Sequence, residues 1–367
     1  MPSIARAVAG RVVKLLVVGA CALAGCHHDA AAPVVQAPFA DAAAISASMY
    51  ILDSTLASAG MQSLAGLGQF MQAAAPASSS APAGSFAPAA CGAGMGAAGA
   101  AGAAPLFAPA SGGSLIADSL RRHVYVLVPP FASYTRTSDT SGPVNGVRFR
   151  LYAVDTMGVA IAPLSIIGNF DLLDVSTGTA SSLRGLISTG ASTNVDYLIT
   201  PRGHVVNDTV ILAGTASQNG HSFSFTDSIT RSMIQFSSQT TMVATLTDAA
   251  DDITIRISAA FYAYDLYDGN YTTDFTLTHG PHSVRMTGNI FTYCLLPAWD
   301  LDLSADTVPV AQVTNSTTTS GPAVVPAATL ALSPEQALAA LDVMYGQQRL
   351  FKWLVGMAAP VAPLLPP

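Results

Sequence analysis

Histidine and aspartate side chains recur at three predicted turns, and together they could bind a divalent metal ion. The turns span 218–221, 248–252 and 279–282 and contribute His221, Asp248, Asp251, Asp252, His279 and His282. If the strands between them form a simple meander, alternate turns lie at one end of the sheet, so these groups share one rim. Imidazole nitrogens and carboxylate oxygens are common ligands of zinc and related ions.

The spacing of such a rim limits which groups could meet at one ion. Alternate turns are offset by two strand spacings, roughly 9.6 Å, whereas zinc ligand atoms lie about 2 Å from the ion. We therefore expect chelation only by His279 with His282, or by the aspartates Asp248, Asp251 and Asp252. The alternative is that these are solvated turn residues, since aspartate is a common turn former.

Motifs for covalent or phosphate chemistry are missing from the sequence. It has no Gly-x-Ser-x-Gly elbow, Cys-x-x-Cys pair, His-Glu-x-x-His helix or glycine-rich phosphate loop. The single glutamate, Glu335, is better explained as part of a helix start. We therefore expect a protein that is not an enzyme and has no cofactor, with a periplasmic hydrolase as the less favoured alternative.

The N-terminus has the anatomy of a secretory signal. Three basic residues precede the apolar run 15–25, which is too short to cross a bilayer of about 30 Å. The run ends in Leu23-Ala24-Gly25-Cys26, which resembles the lipobox of bacterial lipoproteins. The resemblance implies cleavage before Cys26 and lipidation of that cysteine. The alternative is an ordinary signal peptide that happens to contain a cysteine.

Processing of this kind would determine location and charge. Residue 27 is His rather than Asp, which by the same resemblance favours the outer membrane, facing the periplasm or the cell surface. Cleavage removes three of 15 basic side chains and none of 22 acidic ones, so the mature chain carries a net charge of −10. An acidic protein whose full sequence has only two lysines, Lys14 and Lys352, lacks the basic surface that nucleic acids require. We therefore expect the membrane, not nucleic acid, as a partner.

Two cysteines remain after processing. Because Cys21 leaves with the signal and Cys26 is acylated, Cys91 and Cys294 form an even pair in an oxidising compartment. We predict a disulfide between them, which would close a loop of about 200 residues and contribute at most roughly 5 kcal/mol. The alternative is that Cys91, within a linker, is unpaired.

The clearest pattern in the chain is two-residue alternation between apolar and polar residues. Ile253, Ile255 and Ile257 alternate with Thr254 and Arg256, and similar segments recur through 114–304. Alternation predicts strands with one buried face, which is typical of antiparallel sheets. We expect a mainly β fold with about nine to eleven up-and-down antiparallel strands, as a curled sheet, half-barrel or sandwich.

Helices are predicted on both sides of this sheet. Apolar residues from Ile45 to Leu56 recur at helical spacing. Near the C-terminus, Ser333-Pro334-Glu335-Gln336 matches the capping box that starts a helix. The predicted segments are a signal peptide 1–25, tether 26–40, helical segment 41–72, Ala/Gly/Pro/Ser linker 73–113, β domain 114–304, linker 305–332, helix 333–357 and tail 358–367.

These elements lead to a functional expectation. The chain should be a lipid-anchored envelope protein that binds an apolar ligand, an envelope polymer or a partner protein through a face of its sheet. The alternative is a purely structural or surface-interaction lipoprotein. An empty apolar cavity would favour an apolar ligand, and an interior filled by bulky side chains would favour the structural alternative.

Overall fold

The structure of the protein is a computed structural model. It describes residues 42–56, 58, 60–64, 67, 114–128, 133–155, 160–178, 180–190, 192–203, 207–234, 237–263, 269–293, 296–315, 321–327 and 330–358. All of the described residues belong to one compact unit.

Fifteen strands make up most of the described chain. They are β1 Val124–Val128, β2 Ser133–Arg136, β3 Gly146–Tyr152, β4 Ile166–Asp174, β5 Leu183–Thr189, β6 Ser192–Gly203, β7 Asn207–Gln218, β8 His221–Ile234, β9 Ser237–Asp248, β10 Ile253–Ala263, β11 Gly269–His279, β12 His282–Tyr293, β13 Leu296–Ala305, β14 Val308–Asn315 and β15 Pro322–Pro326. A 3₁₀ turn, Asp118–Leu120, precedes β1.

All fifteen strands belong to one sheet. Its order, from β15 down to β3 and then β1 and β2, follows the chain apart from the last step, so it is an up-and-down meander with two edges. Every neighbouring pair is antiparallel except β1 with β3. The predicted mainly β, antiparallel fold with flanking helices is therefore confirmed, as one continuous open sheet, while the predicted strand number was too low.

Two of the additional strands lie in the segment that was predicted to be a linker, 305–332. There, β14 pairs antiparallel with β13 and carries β15 on its other side. Proline and alanine weaken the alternation that predicts a strand. They are tolerated here because Pro322 and Pro326 lie at the two ends of an edge strand, where fewer ladder hydrogen bonds need a backbone N–H.

The sheet has a buried inner face and a solvent-facing outer face. In β10, for example, Ile253, Ile255 and Ile257 are buried while Thr254 and Arg256 face outward. The buried residues of all the elements form one hydrophobic cluster, which includes the apolar sides of the helices. A single core therefore lies between the inner face and its helical cover.

Two helices supply that cover, α1 (Ala42–Leu56) and α2 (Pro334–Ala358). Contacts between them advance in the same direction along both helices, so the helices run parallel: Ser46 donates to Asp342 at 2.8 Å, and Arg349 forms a bidentate ion pair with Asp53. Between these pairs the Met49 side chain packs against Gly346, with its methyl group in the space that a Cβ atom on residue 346 would occupy. A further helical turn spans residues 60–64.

Helix α2 crosses the inner face of the sheet. Its start has the predicted capping box, with reciprocal hydrogen bonds between Ser333 and Gln336 at 2.8 and 3.2 Å. Farther along, Gln347 accepts a hydrogen bond from Thr273 of β11 at 2.9 Å, and Trp353 packs edge-on against Phe225 of β8. The helix of 25 residues is about 37 Å long, enough to cover about eight strands.

No helix among the described residues is both long enough and apolar enough to cross a membrane.

Candidate functional site

The rim that the sequence predicted is present in the structure. Three turns lie at one end of the sheet: β7–β8, β9–β10 and β11–β12. They are closed by the residue pairs Gln218↔His221, Asp248↔Ile253 and His279↔His282, respectively. The first is a two-residue turn in which Asn219 and Gly220 both have positive φ, as the Asn-Gly pair predicts. This turn makes His221 the first residue of β8.

Three of the rim side chains come together. The Nδ1 atom of His221 lies 2.7 Å from Oδ2 of Asp251 and 3.9 Å from Oδ2 of Asp248. Each of the three residues offers a ligand atom within 4.8 Å of the others. The group combines one imidazole with two carboxylates, a donor set that suits a divalent transition metal. We call these three residues the rim cluster.

Asp248 is held differently from the other two. Its side chain is only 1% exposed, compared with 31% for His221 and 37% for Asp251. One carboxylate oxygen, Oδ1, accepts the backbone N–H of Ala250 at 3.0 Å, which fixes the side chain within its turn. The other oxygen, Oδ2, is buried without a hydrogen-bond partner and lies on the side of His221.

The remaining predicted ligands have other partners. His279 lies 3.4 Å from the Ser48 hydroxyl of α1, and His282 lies 3.1 Å from Asp306. The Asp252 carboxylate is exposed near Gly280, in the next turn. The structure thus brings Asp248 and Asp251 together with His221, whereas His279, His282 and Asp252 lie outside the rim cluster.

The sequence-based prediction excluded His221 from the aspartate site because it measured the distance between the centres of neighbouring rim turns, which is two strand spacings. The turns are indeed two strand spacings apart, but the strands that face each other, β8 and β9, are direct neighbours. His221 begins β8 and Asp248 ends β9, so the two residues lie on neighbouring strands, which are about 4.8 Å apart. Counting strands from the end of each turn, rather than from its centre, would have found the pair.

A second feature covers the outer face of the sheet. Six hydroxyl side chains stand side by side in consecutive strands from β7 to β12: Thr215, Ser224, Thr247, Thr254, Thr278 and Ser283. All are exposed or half-buried. We call this the hydroxyl row, and further Thr and Ser residues extend it along the strands. The spacing of the hydroxyls is about 4.8 Å across the strands.

The outer face also has aromatic side chains at the end away from the rim. Tyr262 of β10 and Phe291 of β12 flank Asn270 of β11 in one row. Both rings are half-buried, and the Asn270 side-chain oxygen is buried without a partner. Gln239 donates to the Tyr262 hydroxyl at 2.8 Å. Aromatic faces beside an amide suit the apolar and polar sides of a sugar ring.

Two arginines of the outer face form matched pairs with aspartates. Arg285 binds Asp274 with two hydrogen bonds of 2.8 and 2.7 Å, and Arg184 binds Asp196 in the same bidentate manner. The pair with Arg285 lowers the pKa of Asp274, chiefly because the guanidinium donates hydrogen bonds to the carboxylate. Because each arginine is neutralised by a neighbouring carboxylate, these pairs give the face little net charge.

The inner face carries a carboxyl group within its apolar centre. Asp227 of β8 is 2% exposed, and neither of its carboxylate oxygens has a hydrogen-bond partner of normal geometry. Burial raises the pKa of Asp227 to about 8, and the nearby Ser228 backbone N–H offsets only a smaller part. Its carboxyl group is therefore largely neutral at pH 7, and this side chain was not predicted to be special.

The predicted covalent sites, lipidation at Cys26 and a disulfide between Cys91 and Cys294, lie outside the described residues.

Comparison with known proteins gives no assignment. No family model, no curated protein and no solved structure matches this chain. A functional conclusion therefore depends on the geometry of the outer face, the inner face and the rim.

Proposed function

We propose that the chain is a lipid-anchored cell-envelope protein that binds a glycan polymer of the envelope through the outer face of its sheet. The observation that carries this proposal is the hydroxyl row, which lies on a solvent-facing sheet surface across six neighbouring strands. The lipid anchor is part of the proposal and comes from the lipobox-like Leu23-Ala24-Gly25-Cys26.

The chemistry of the outer face favours a neutral, polar ligand. Hydroxyls both donate and accept hydrogen bonds, as the hydroxyls of sugars do. The bidentate Arg–Asp pairs carry little net charge that could attract a polyanion. Only a few large apolar side chains are exposed on this face, among them Val243 and Leu198. Protein interfaces usually have aromatic and apolar anchors at their centre. A glycan therefore suits the face better than nucleic acid or a protein.

A repetitive ligand also suits the energetics. Each hydroxyl hydrogen bond contributes only about 0.5–1.5 kcal/mol net, so a single sugar would bind weakly. Many equivalent contacts along a polymer combine into useful avidity. The rings of Tyr262 and Phe291 at one end of the face would add stacking contacts.

The apolar-ligand version of the hypothesis has less support. Such a ligand would have to enter between the inner face and the helices, where Trp353 packs against Phe225 and Phe351 packs against Tyr271. The Met49 methyl group occupies the space beside Gly346. Displacing these contacts would expose α2 and the strands below it, at a cost of several kcal/mol.

Co-sedimentation with insoluble envelope glycan tests the proposal. Full chain in a mild detergent is mixed with purified peptidoglycan sacculi, and in separate tubes with outer-membrane polysaccharide coupled to beads. The test variant replaces Thr247, Thr254 and Thr278 with valine, which keeps shape and strand propensity but removes three hydroxyls. The control variant replaces the same residues with serine, which keeps the hydroxyls.

The proposal makes a quantitative expectation for these variants. Loss of three hydrogen bonds should weaken binding to one of the two glycans by at least about tenfold, while the serine variant stays within about threefold of the parent. A parent protein that binds neither glycan would refute the proposal and leave the purely structural alternative. Equal binding by the valine variant would exclude the hydroxyl row as the contact surface.

A further inference from the structure

We infer that the rim cluster of His221, Asp248 and Asp251 is a binding site for one divalent transition-metal ion of the zinc class. The three ligand atoms already lie within 4.8 Å of one another. This site is separate from the outer face and does not depend on the proposed glycan binding. Within the described residues, the rim cluster is the group of His, Cys, Asp and Glu side chains that meets this distance.

The buried oxygen of Asp248 is the observation that distinguishes this cluster from ordinary turn residues. Asp248 is 1% exposed, and its Oδ2 atom has neither solvent nor a hydrogen-bond donor as a partner. Burying an unpaired carboxylate oxygen is costly unless a cation compensates it. The nearest candidate, His221 Nδ1, lies 3.9 Å away, too far for a hydrogen bond. A metal ion bound by both groups would compensate that charge.

The distances are close to those of a tetrahedral site. Ligand atoms about 2.0 Å from zinc are about 3.3 Å from one another. The two His221 distances, 2.7 Å to Asp251 and 3.9 Å to Asp248, lie on either side of that value. Each of these two distances differs from that value by about 0.6 Å, and the ligand atoms of Asp248 and Asp251 lie within 4.8 Å of each other. His221 and Asp251 are half-buried side chains that can adjust to an ion.

The donor set indicates the class of ion. An imidazole nitrogen with two carboxylates suits zinc and similar transition metals, whereas calcium prefers six to eight oxygen ligands. Three protein ligands leave a coordination position for water. Because His221 begins β8, while Asp248 ends β9 and Asp251 lies in the β9–β10 turn, the ion would link two successive hairpins. Binding should therefore raise the thermal stability of the protein.

The test uses the full chain in mild detergent, first freed of metal with a chelator. Zinc chloride, and separately calcium chloride, are titrated by isothermal calorimetry, and the unfolding temperature is followed by circular dichroism. Asp248→Asn and Asp251→Asn remove one ligand charge each and keep side-chain shape. Asp252→Asn is the matched control, because it removes the same charge from the same turn but lies outside the rim cluster. Its positive φ of 52° is one that asparagine tolerates.

We expect one zinc ion per chain, a higher unfolding temperature with zinc, and at least tenfold weaker binding by both Asp248→Asn and Asp251→Asn. Asp252→Asn should bind within about twofold of the parent. If Asp248→Asn does not fold, Asp251→Asn, whose side chain is more exposed, decides the matter together with His221→Gln. No saturable zinc binding, tighter binding of calcium than of zinc, or equal loss in Asp252→Asn would overturn the inference.

Discussion

Neutralising Asp227 should remove a specific part of the pH dependence of stability. Asp227 lies between Leu212 and Ala244 on the neighbouring strands and between Phe225 and Ile229 on the same face of its own strand. These apolar neighbours exclude water, and burial raises the pKa of the carboxyl group to about 8. In the unfolded chain the same group has its ordinary value of about 3.9.

The sign of the effect follows from these two pKa values. Between about pH 4 and pH 8 the unfolded chain has released this proton while the folded chain retains it. Stability therefore falls as pH rises through this window and becomes constant above it. From pH 5 to pH 8 the loss is about 3–4 kcal/mol, because each pH unit in the window contributes about 1.4 kcal/mol.

Urea unfolding of the full chain in non-ionic detergent at pH 5, 6, 7 and 8 measures this slope. Asp227→Asn should lose this slope, since asparagine does not titrate. The free energy of unfolding of the parent, relative to that of the variant, should therefore fall by about 3–4 kcal/mol from pH 5 to pH 8. Asp274→Asn is the control: the pKa of Asp274 is lowered, so it is ionised in both states throughout this range and the slope should persist. Parallel pH profiles for the parent and Asp227→Asn would refute the reasoning.

Three other predictions concern Asp174 at the end of β4, Gly288 within β12 and the predicted anchor. Asp174 is buried, which favours its neutral form, but hydrogen bonds including that from the Ile116 backbone N–H at 3.0 Å outweigh this and lower its pKa. Asp174→Ala should cost about 2–4 kcal/mol at pH 7 in urea unfolding, and the difference from the parent should shrink as pH falls below about 4. Gly288 has a φ of 142°, and a Cβ atom there would lie 2.1 Å from the Asp300 carbonyl oxygen, so Gly288→Ala should lower the thermal midpoint by several degrees. An unchanged midpoint would show that the two strands separate easily there. Cys26→Ser should abolish metabolic labelling with palmitate and release the chain from the membrane fraction, and labelling of the serine variant would place the lipid elsewhere.

Much of the sheet could be predicted from local sequence. Strand alternation depends only on the direction of neighbouring side chains, and Asn219-Gly220 fixes a two-residue hairpin through its backbone preference. Strands with proline and alanine, such as β14 and β15, escape this logic. They pair because an existing edge offers them hydrogen-bonding partners.

The candidate sites divide in the same way. The alternation of hydroxyl residues along each strand is visible in the sequence, but the hydroxyl row exists only because the registers of β7 to β12 align Thr247 with both Ser224 and Thr254. The shared rim and the adjacency of β8 and β9 follow from a meander, whereas the close approach of the His221, Asp248 and Asp251 side chains is seen only in the tertiary structure.

The sequence by itself determined the kind of strands, the order of the hairpins and the start of helix α2, because each of these depends on contacts within a few residues. Only the tertiary structure decided that the parallel helices α1 and α2 cover the apolar face, that Asp227 is buried beneath that cover, and that the hydroxyl face is left to solvent. The physical reason is that burial depends on groups distant in sequence. Two-residue periodicity gives each strand two distinct faces but does not specify what packs against either one.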